Sequence, residues 1–301
     1  MKKTILFIFP LLLAGFNACF AVVGQNAFEF MLIGAGSRAS AMGEAFTAVS
    51  GDVGAPFFNP ASAGVISGRE VSFTHIAYMK DVTIEQFSFL VRRSEFRFGG
   101  ALNVGRVANI ERRGTTPSGE PLGFFDEHDV TAGVFWGLPV TEKLSIGNSV
   151  KFAYEKLDLQ DASALAIDLG SFYNLTREVA LGASLRNLGT RPKFIDESYE
   201  LPREIRIGAS YRRGEDFPYI IVSADYVKPE WGDKSSKFNV GGEYNYQNMA
   251  FLRAGGYFGY DSRSISLGAG MAYRNYYFDY SFVPLKNNLG NTHRFTLRIR
   301  L

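Results

Sequence analysis

The chain has 301 residues, 32 basic against 30 acidic side chains, and a single cysteine. Near-neutrality removes the basic footprint of a nucleic-acid binder, one cysteine cannot build a disulfide scaffold, and a mean hydropathy of −0.03 rules out a bundle of apolar membrane helices. The 27 Phe, 15 Tyr and 32 Gly point to strands, either of an outer-membrane barrel or of an exported soluble sandwich or propeller.

Residues 1–21 open with Met1-Lys2-Lys3, continue through an apolar run broken by Pro10, and end in small residues at Ala21. This is the pattern of a secretory signal peptide cut after Ala21. The run is short for a retained bilayer anchor, and Phe16-Asn17-Ala18 is a poor approach to a lipidated Cys19. Cleavage removes Lys2, Lys3 and Cys19, which leaves the mature chain charge-balanced and without cysteine.

Residues 22–68 follow neither the leader's pattern nor the alternation that comes later. Gly34, Gly36 and Gly43 suggest a phosphate loop, but their spacing fits neither the dinucleotide nor the Walker pattern. Small side chains dominate, so the segment suits a confined space. The expectation is a short helix over 37–49 capped by Ser37, a turn-prone stretch at 51–55, and a turn at Asn59-Pro60-Ala61 that delivers the chain to the first strand. Phe28, Phe30, Met31, Phe46, Phe57 and Phe58 give it more apolar content than a disordered arm carries. The reading is a hatch inside a barrel.

From residue 70 onward the period is two. In the last segment Phe295, Leu297, Ile299 and Leu301 fall on one face, and Arg294, Thr296, Arg298 and Arg300 on the other. Fourteen such segments lie at 69–79, 83–92, 95–106, 127–138, 143–155, 163–174, 178–187, 203–212, 218–228, 235–246, 249–259, 263–274, 275–284 and 292–301. Each has about the 9–11 residues that a tilted transmembrane strand needs. The connections sort by parity. The even ones are short, and the long ones, 107–126 and 188–202 above all, are odd. Outer-membrane barrels have short periplasmic turns and longer external loops, and this sorting favours the barrel over a soluble β-protein. The domain plan is therefore a leader at 1–21, a hatch at 22–68 and an all-β transmembrane antiparallel barrel at 69–301.

Arg97, Lys151, Asp168, Arg206, Asp225, Glu243, Arg253, Asp279 and Arg298 stand opposite the apolar faces. A charge turned to lipid at mid-bilayer costs about 2–4 kcal/mol, so these side chains are expected in the lumen, bracing it. His75, His128 and His293 have no metal-site spacing. His128-Asp129 is the best candidate for a catalytic pair, and a poor one. No cofactor is expected.

The segment Phe30–Val65, FMLIGAGSRASAMGEAFTAVSGDVGAPFFNPASAGV, resembles the N-terminal signature of the PorV/PorQ family of outer-membrane proteins, which is related to the FadL-type barrels. The matching positions are Gly34, Gly36, Arg38, Ala39, Ala41, Met42, Gly43, Ala45, Phe46, Asp52, Asn59, Pro60 and Ala61. Ser62 stands where the family often has Gly, and Leu301 where such barrels usually end in an aromatic residue. The resemblance implies a fourteen-stranded barrel with an N-terminal hatch. It also implies two roles: reception of exported cargo in type IX secretion, or passage of hydrophobic compounds, such as long-chain fatty acids, through the barrel wall. The signature puts export first and hydrophobic transport second, with a barrel enzyme a distant third. The expected partners are outer-membrane lipid, with exported proteins and secretion components or hydrophobic small molecules, and no nucleic acid.

Overall fold

In the computed structural model the chain forms a closed antiparallel barrel of fourteen strands. The structure describes residues 27–79, 81–93, 95–115, 119–214, 218–230 and 235–301, so the leader and Cys19 lie outside the described residues. The strands are β1 (Glu70–Tyr78), β2 (Val82–Arg93), β3 (Phe96–Arg112), β4 (Gly123–Pro139), β5 (Leu144–Leu157), β6 (Gln160–Asn174) and β7 (Val179–Gly189). They continue as β10 (Glu204–Arg213), β11 (Tyr219–Pro229), β12 (Lys237–Tyr246), β13 (Ala250–Phe258), β14 (Ile265–Tyr273), β15 (Tyr276–Pro284) and β16 (Asn291–Arg300). Two short strands, β8 (Lys193–Phe194) and β9 (Glu197–Ser198), make a separate hairpin in the connection from β7 to β10. β1 closes the ring on β16, with Glu70 opposite Arg300 and Tyr78 opposite Thr292. Closure leaves no unpaired edge, as a hydrocarbon environment demands.

The fourteen segments read from alternation are the fourteen barrel strands. Their ends differ most on the long-loop side. β3 runs to Arg112 and β4 begins at Gly123, so the loop expected at 107–126 shrinks to 113–122. The cause is a β-bulge between Val107 and Ile110, where Asn109 takes a left-handed φ of 61°. The extra residue shifts the alternation, and the strand beyond it no longer reads as period two. A second irregularity sets Arg186 and Asn187 of β7 against Asp168 of β6.

Polarity is inverted relative to a water-soluble protein. Outward-facing Phe73, Leu252, Met271 and Phe295 are 50%, 63%, 63% and 53% exposed, whereas inward-facing Asn239, Ser266 and Ser281 are fully buried. An apolar surface this continuous is satisfied by lipid rather than by water.

Residues 27–68 run round the inside of the barrel. The helix expected over 37–49 is only five residues long, α1 (Ser37–Ala41), and its N-cap is Gly36, not Ser37. Ser37 instead bonds Thr296 of β16 through its hydroxyl, at 2.8 Å. The helix stops because Gly43 and Glu44 both take left-handed φ, 64° and 58°. Asn59-Pro60-Ala61 starts a 3-10 turn (Pro60–Val65), in which the Asn59 side chain accepts from the Ala61 N–H. Because so little of the segment is regular, its carbonyls need other donors. Inward serines of the wall supply them: Ser266 to Ala41 O at 3.0 Å, Ser210 to Ala48 O at 2.6 Å, Ser184 to Phe58 O at 2.7 Å, and Ser145 to Ala61 O at 2.9 Å.

Candidate functional site

The hatch lies against a track of wall glycines. Gly137, Gly147 and Gly170 are consecutive cross-strand partners on β4, β5 and β6. Gly182 pairs with Gly208, and Gly241 with Gly255. A Cβ at any of them but Gly208 would stand within 2.6 Å of a hatch atom, and at Gly208 it would meet Thr47 Cβ at 2.9 Å. At Gly255 it would meet Gly43 N at 2.0 Å, and at Gly182 it would meet Thr47 O at 2.1 Å. The wall there is bare backbone so that the hatch backbone can touch it.

Charge completes the clamp. The Arg38 guanidinium donates to both oxygens of Glu243 at 2.7 and 2.8 Å, and to Asp52 at 2.8 Å. Glu243 also accepts from Arg253 at 2.6 Å, Arg253 donates to Asp279 at 2.6 Å, and Asp279 accepts from Arg298 at 2.9 Å. Asp225 accepts from Arg206 and from the Phe46 and Thr47 N–H groups, each at 3.0 Å. Burial alone would raise the Asp52 carboxyl, but Arg38 and Arg298 outweigh it and hold the group down at about 2. Glu44 is likewise held below the usual carboxylate range, its burial overcome by Arg263, Arg294 and Arg206.

The residues singled out from sequence occupy this clamp. Gly34 gives its carbonyl to Arg294 at 2.6 Å, and the Gly36 N–H donates to Gln86 at 3.1 Å. Met42, Phe46, Asn59 and Ala61 are fully buried. Arg97 holds the Ile66 carbonyl at 2.9 Å, where the hatch joins β1. Lys151 and Asp168 form a separate ion pair at 2.7 Å. The histidines lie elsewhere. His75 pairs with Glu85 on the outer surface, and His293 meets the Tyr280 hydroxyl at 2.9 Å. Strand alternation turns the exposed His128 outward and Asp129 inward, so the candidate catalytic pair is not a pair.

The lumen is filled unevenly. On the β10–β16 side the ion-pair network and α1 occupy it. On the β2–β7 side the inward positions are small, such as Ala101, Gly105 and Gly133, and a cavity of about 300 Å³ remains. Its hatch wall is Phe30, Met31, Ile33, Pro56 and Phe57, and its barrel wall includes the apolar Ile84, Val82, Tyr78 and Phe135. Above it, Phe28 and Met31 pack on Ala153, Ala162, Ala164 and Ala166, with Leu201 of the β7–β10 connection. A set of polar residues, Gln86, Asn103, Asp129, Thr131 and Ser149, lines one side. Of the charges expected in the lumen only Lys151 and Asp168 reach this cavity, together with Phe30, Met31 and Phe57 of the hatch and Asp129. The other lining residues were missed because an inward position on a strand says nothing of what faces it. The one available signal was the run of small and uncharged inward residues on β3, Ala101, Asn103 and Gly105.

Residues 19–164 match the model of an uncharacterised protein family (UPF0164). No curated protein matches the chain. Among solved structures it is similar to the toluene transporter TodX of Pseudomonas putida, with 16% identity over 88% of this chain and 96% of that one, at a TM-score of 0.64. It is also similar to the CymD monoaromatic hydrocarbon channel, with 14% identity over 91% and 98% of the two chains and a TM-score of 0.63. A Pseudomonas aeruginosa FadL homologue gives 12% identity over 87% and 96%, with a TM-score of 0.52. At these identities the likeness is one of fold: the chain shares its closed β-barrel with structures whose names are those of a toluene transporter and a monoaromatic hydrocarbon channel.

Proposed function

We propose that the protein is an outer-membrane channel for small hydrophobic molecules, exported by its leader at 1–21. The molecule enters from the long-loop end, past residues 27–33, and dwells in the cavity between the hatch and β2–β7. The cavity carries this reading: it is a space of about 300 Å³ with an apolar hatch wall of Phe30, Met31, Ile33, Pro56 and Phe57 and a partly polar barrel wall, twice the size of a cavity of about 150 Å³ that holds benzene. Residues 27–33 form its roof through apolar contacts, whereas residues 36–60 are fixed by ion pairs and hydrogen bonds.

The export role implied by the resemblance to PorV/PorQ rests on the N-terminal signature. The residues of that signature are engaged in seating the hatch, so it argues for an architecture that both roles share. Small-molecule transport has the cavity in addition.

Uptake of labelled toluene by cells carrying the protein, in a host without another such channel, tests the proposal. Ala101→Phe should fill part of the cavity and lower uptake about tenfold, equivalent to about 1.4 kcal/mol, while heat-modifiable migration stays unchanged. Unaltered uptake by that variant would remove the cavity from the pathway.

A further inference from the structure

We propose that the outer wall from β14 to β2 binds one phospholipid of the outer leaflet, with an acyl chain in a groove between aromatic rings and the phosphate beside His75 and His293. This goes beyond the channel reading and requires only that the barrel spans a membrane. The groove, of about 460 Å³, crosses the outward face from Ala269 and Met271 of β14, past Phe278 of β15 and Phe295 of β16, to Phe73 and His75 of β1. It exists because Ala269 is small where Leu267 and Met271, its neighbours on the same face of β14, are large and 52% and 63% exposed. Phe73, Leu297, Phe278 and Met271 are cross-strand neighbours in one apolar row. Four adjacent strands span about 14 Å, the length of a stretch of acyl chain. A depression of this size in hydrocarbon is filled, because an empty one would leave its lining without contacts.

One end of the groove is polar. His75 pairs through Nδ1 with Glu85 of β2 at 2.6 Å, with its side chain 43% exposed. His293 of β16 meets the Tyr280 hydroxyl through its own Nδ1 at 2.9 Å. His75 is opposite Phe295, so His293 is its diagonal neighbour, about 7–8 Å away. Beside this cluster the outward row is apolar, with Val104 opposite Glu85 and Leu252 opposite Ala269. Ionisable side chains on a lipid face are costly and mark function. The cluster also lies at the level of head groups. The next outward position on β3 toward the long loops is Arg106, paired with Asp126 at 2.6 Å, while the row of Phe73 and Met271 lies on the short-turn side. A protonated imidazole held at Nδ1 has its Nε2–H left for a ligand, and phosphate is the head-group acceptor that two such donors suit. Glu85 is engaged by His75 and stands on the side away from His293.

The test is native mass spectrometry of the full-length, delipidated protein in detergent, titrated with dipalmitoyl phosphatidylethanolamine and, separately, with dipalmitoylglycerol, which has the same chains and no phosphate. One phospholipid should bind per chain, about tenfold tighter than the diacylglycerol, a difference of about 1.4 kcal/mol. Ala269→Phe fills the groove and should weaken both lipids. The double variant His75→Phe with His293→Phe should keep the diacylglycerol and lose most of the advantage of the phospholipid. Unchanged heat-modifiable migration checks that each variant folds, and toluene uptake should be unaltered in all of them, which separates this result from the channel reading. Equal phospholipid binding by the wild type and Ala269→Phe would remove the groove from the site. Equal binding of the two lipids by the wild type would overturn the phosphate assignment. A lipid-free dimer would give this face to a second copy of the chain and overturn the proposal as a whole.

Discussion

Gly241 and Gly242 are neighbours in sequence with opposite surroundings. A Cβ on Gly241 would stand 2.3 Å from the Met42 carbonyl oxygen and 2.8 Å from the Met42 Cβ, while on Gly242 the nearest atom is Ile221 O at 3.9 Å. Gly241→Ala should therefore force the hatch off the wall and cost about 1–3 kcal/mol. Gly242→Ala should change stability by less than about 0.5 kcal/mol. Heat-modifiable gel migration, read as a midpoint temperature, compares the two. Equal midpoints would mean that the hatch does not bear on β12. Alternation alone assigns these glycines to faces. It does not show that the inward ones form a track, because a glycine in a strand reads only as a weak strand former, and its reason lies in a segment about 200 residues away.

The hatch shows what local propensity can and cannot determine. The run 37–49 is rich in Ala and reads as a helix, yet Gly43 must turn left-handed to let the chain follow the wall, and α1 ends at Ala41. Tertiary contact overrides propensity here. The hatch is held by ion pairs, such as Arg38 with Glu243 and Asp52, whose partners no periodicity can name. Asp52 titrates at about 2 in the folded protein against an ordinary 3.8. A depressed carboxylate stabilises the fold when ionised, so its contribution is complete above the ordinary value and is lost as pH falls toward 2. The midpoint temperature of the wild type should fall over that range. Asp52→Asn should be less stable at pH 6 and should vary less over the same range. A wild-type midpoint as flat as the variant's would contradict the ion-pair clamp.

At the scale of the molecule, the barrel was legible because two independent patterns agree. Strict alternation assigns an apolar and a polar face to each strand, and the sorting of loops by parity puts both barrel ends on the short-turn side. The bulges escaped because one inserted residue erases the alternation by which strands are found. The cavity escaped for a different reason. It is the volume left between wall and hatch, and it depends on where residues 29–33 and 56–57 come to rest. No periodicity encodes that, yet the transport reading depends on it.

The most direct check is a crystal structure of the detergent-purified protein soaked with bromotoluene, recorded at the bromine edge. The account requires an anomalous peak inside the barrel, between Phe30 and Phe57 of the hatch and Ile84 and Phe135 of the wall. Bromine found only on the outer apolar belt, with the interior empty, would contradict it.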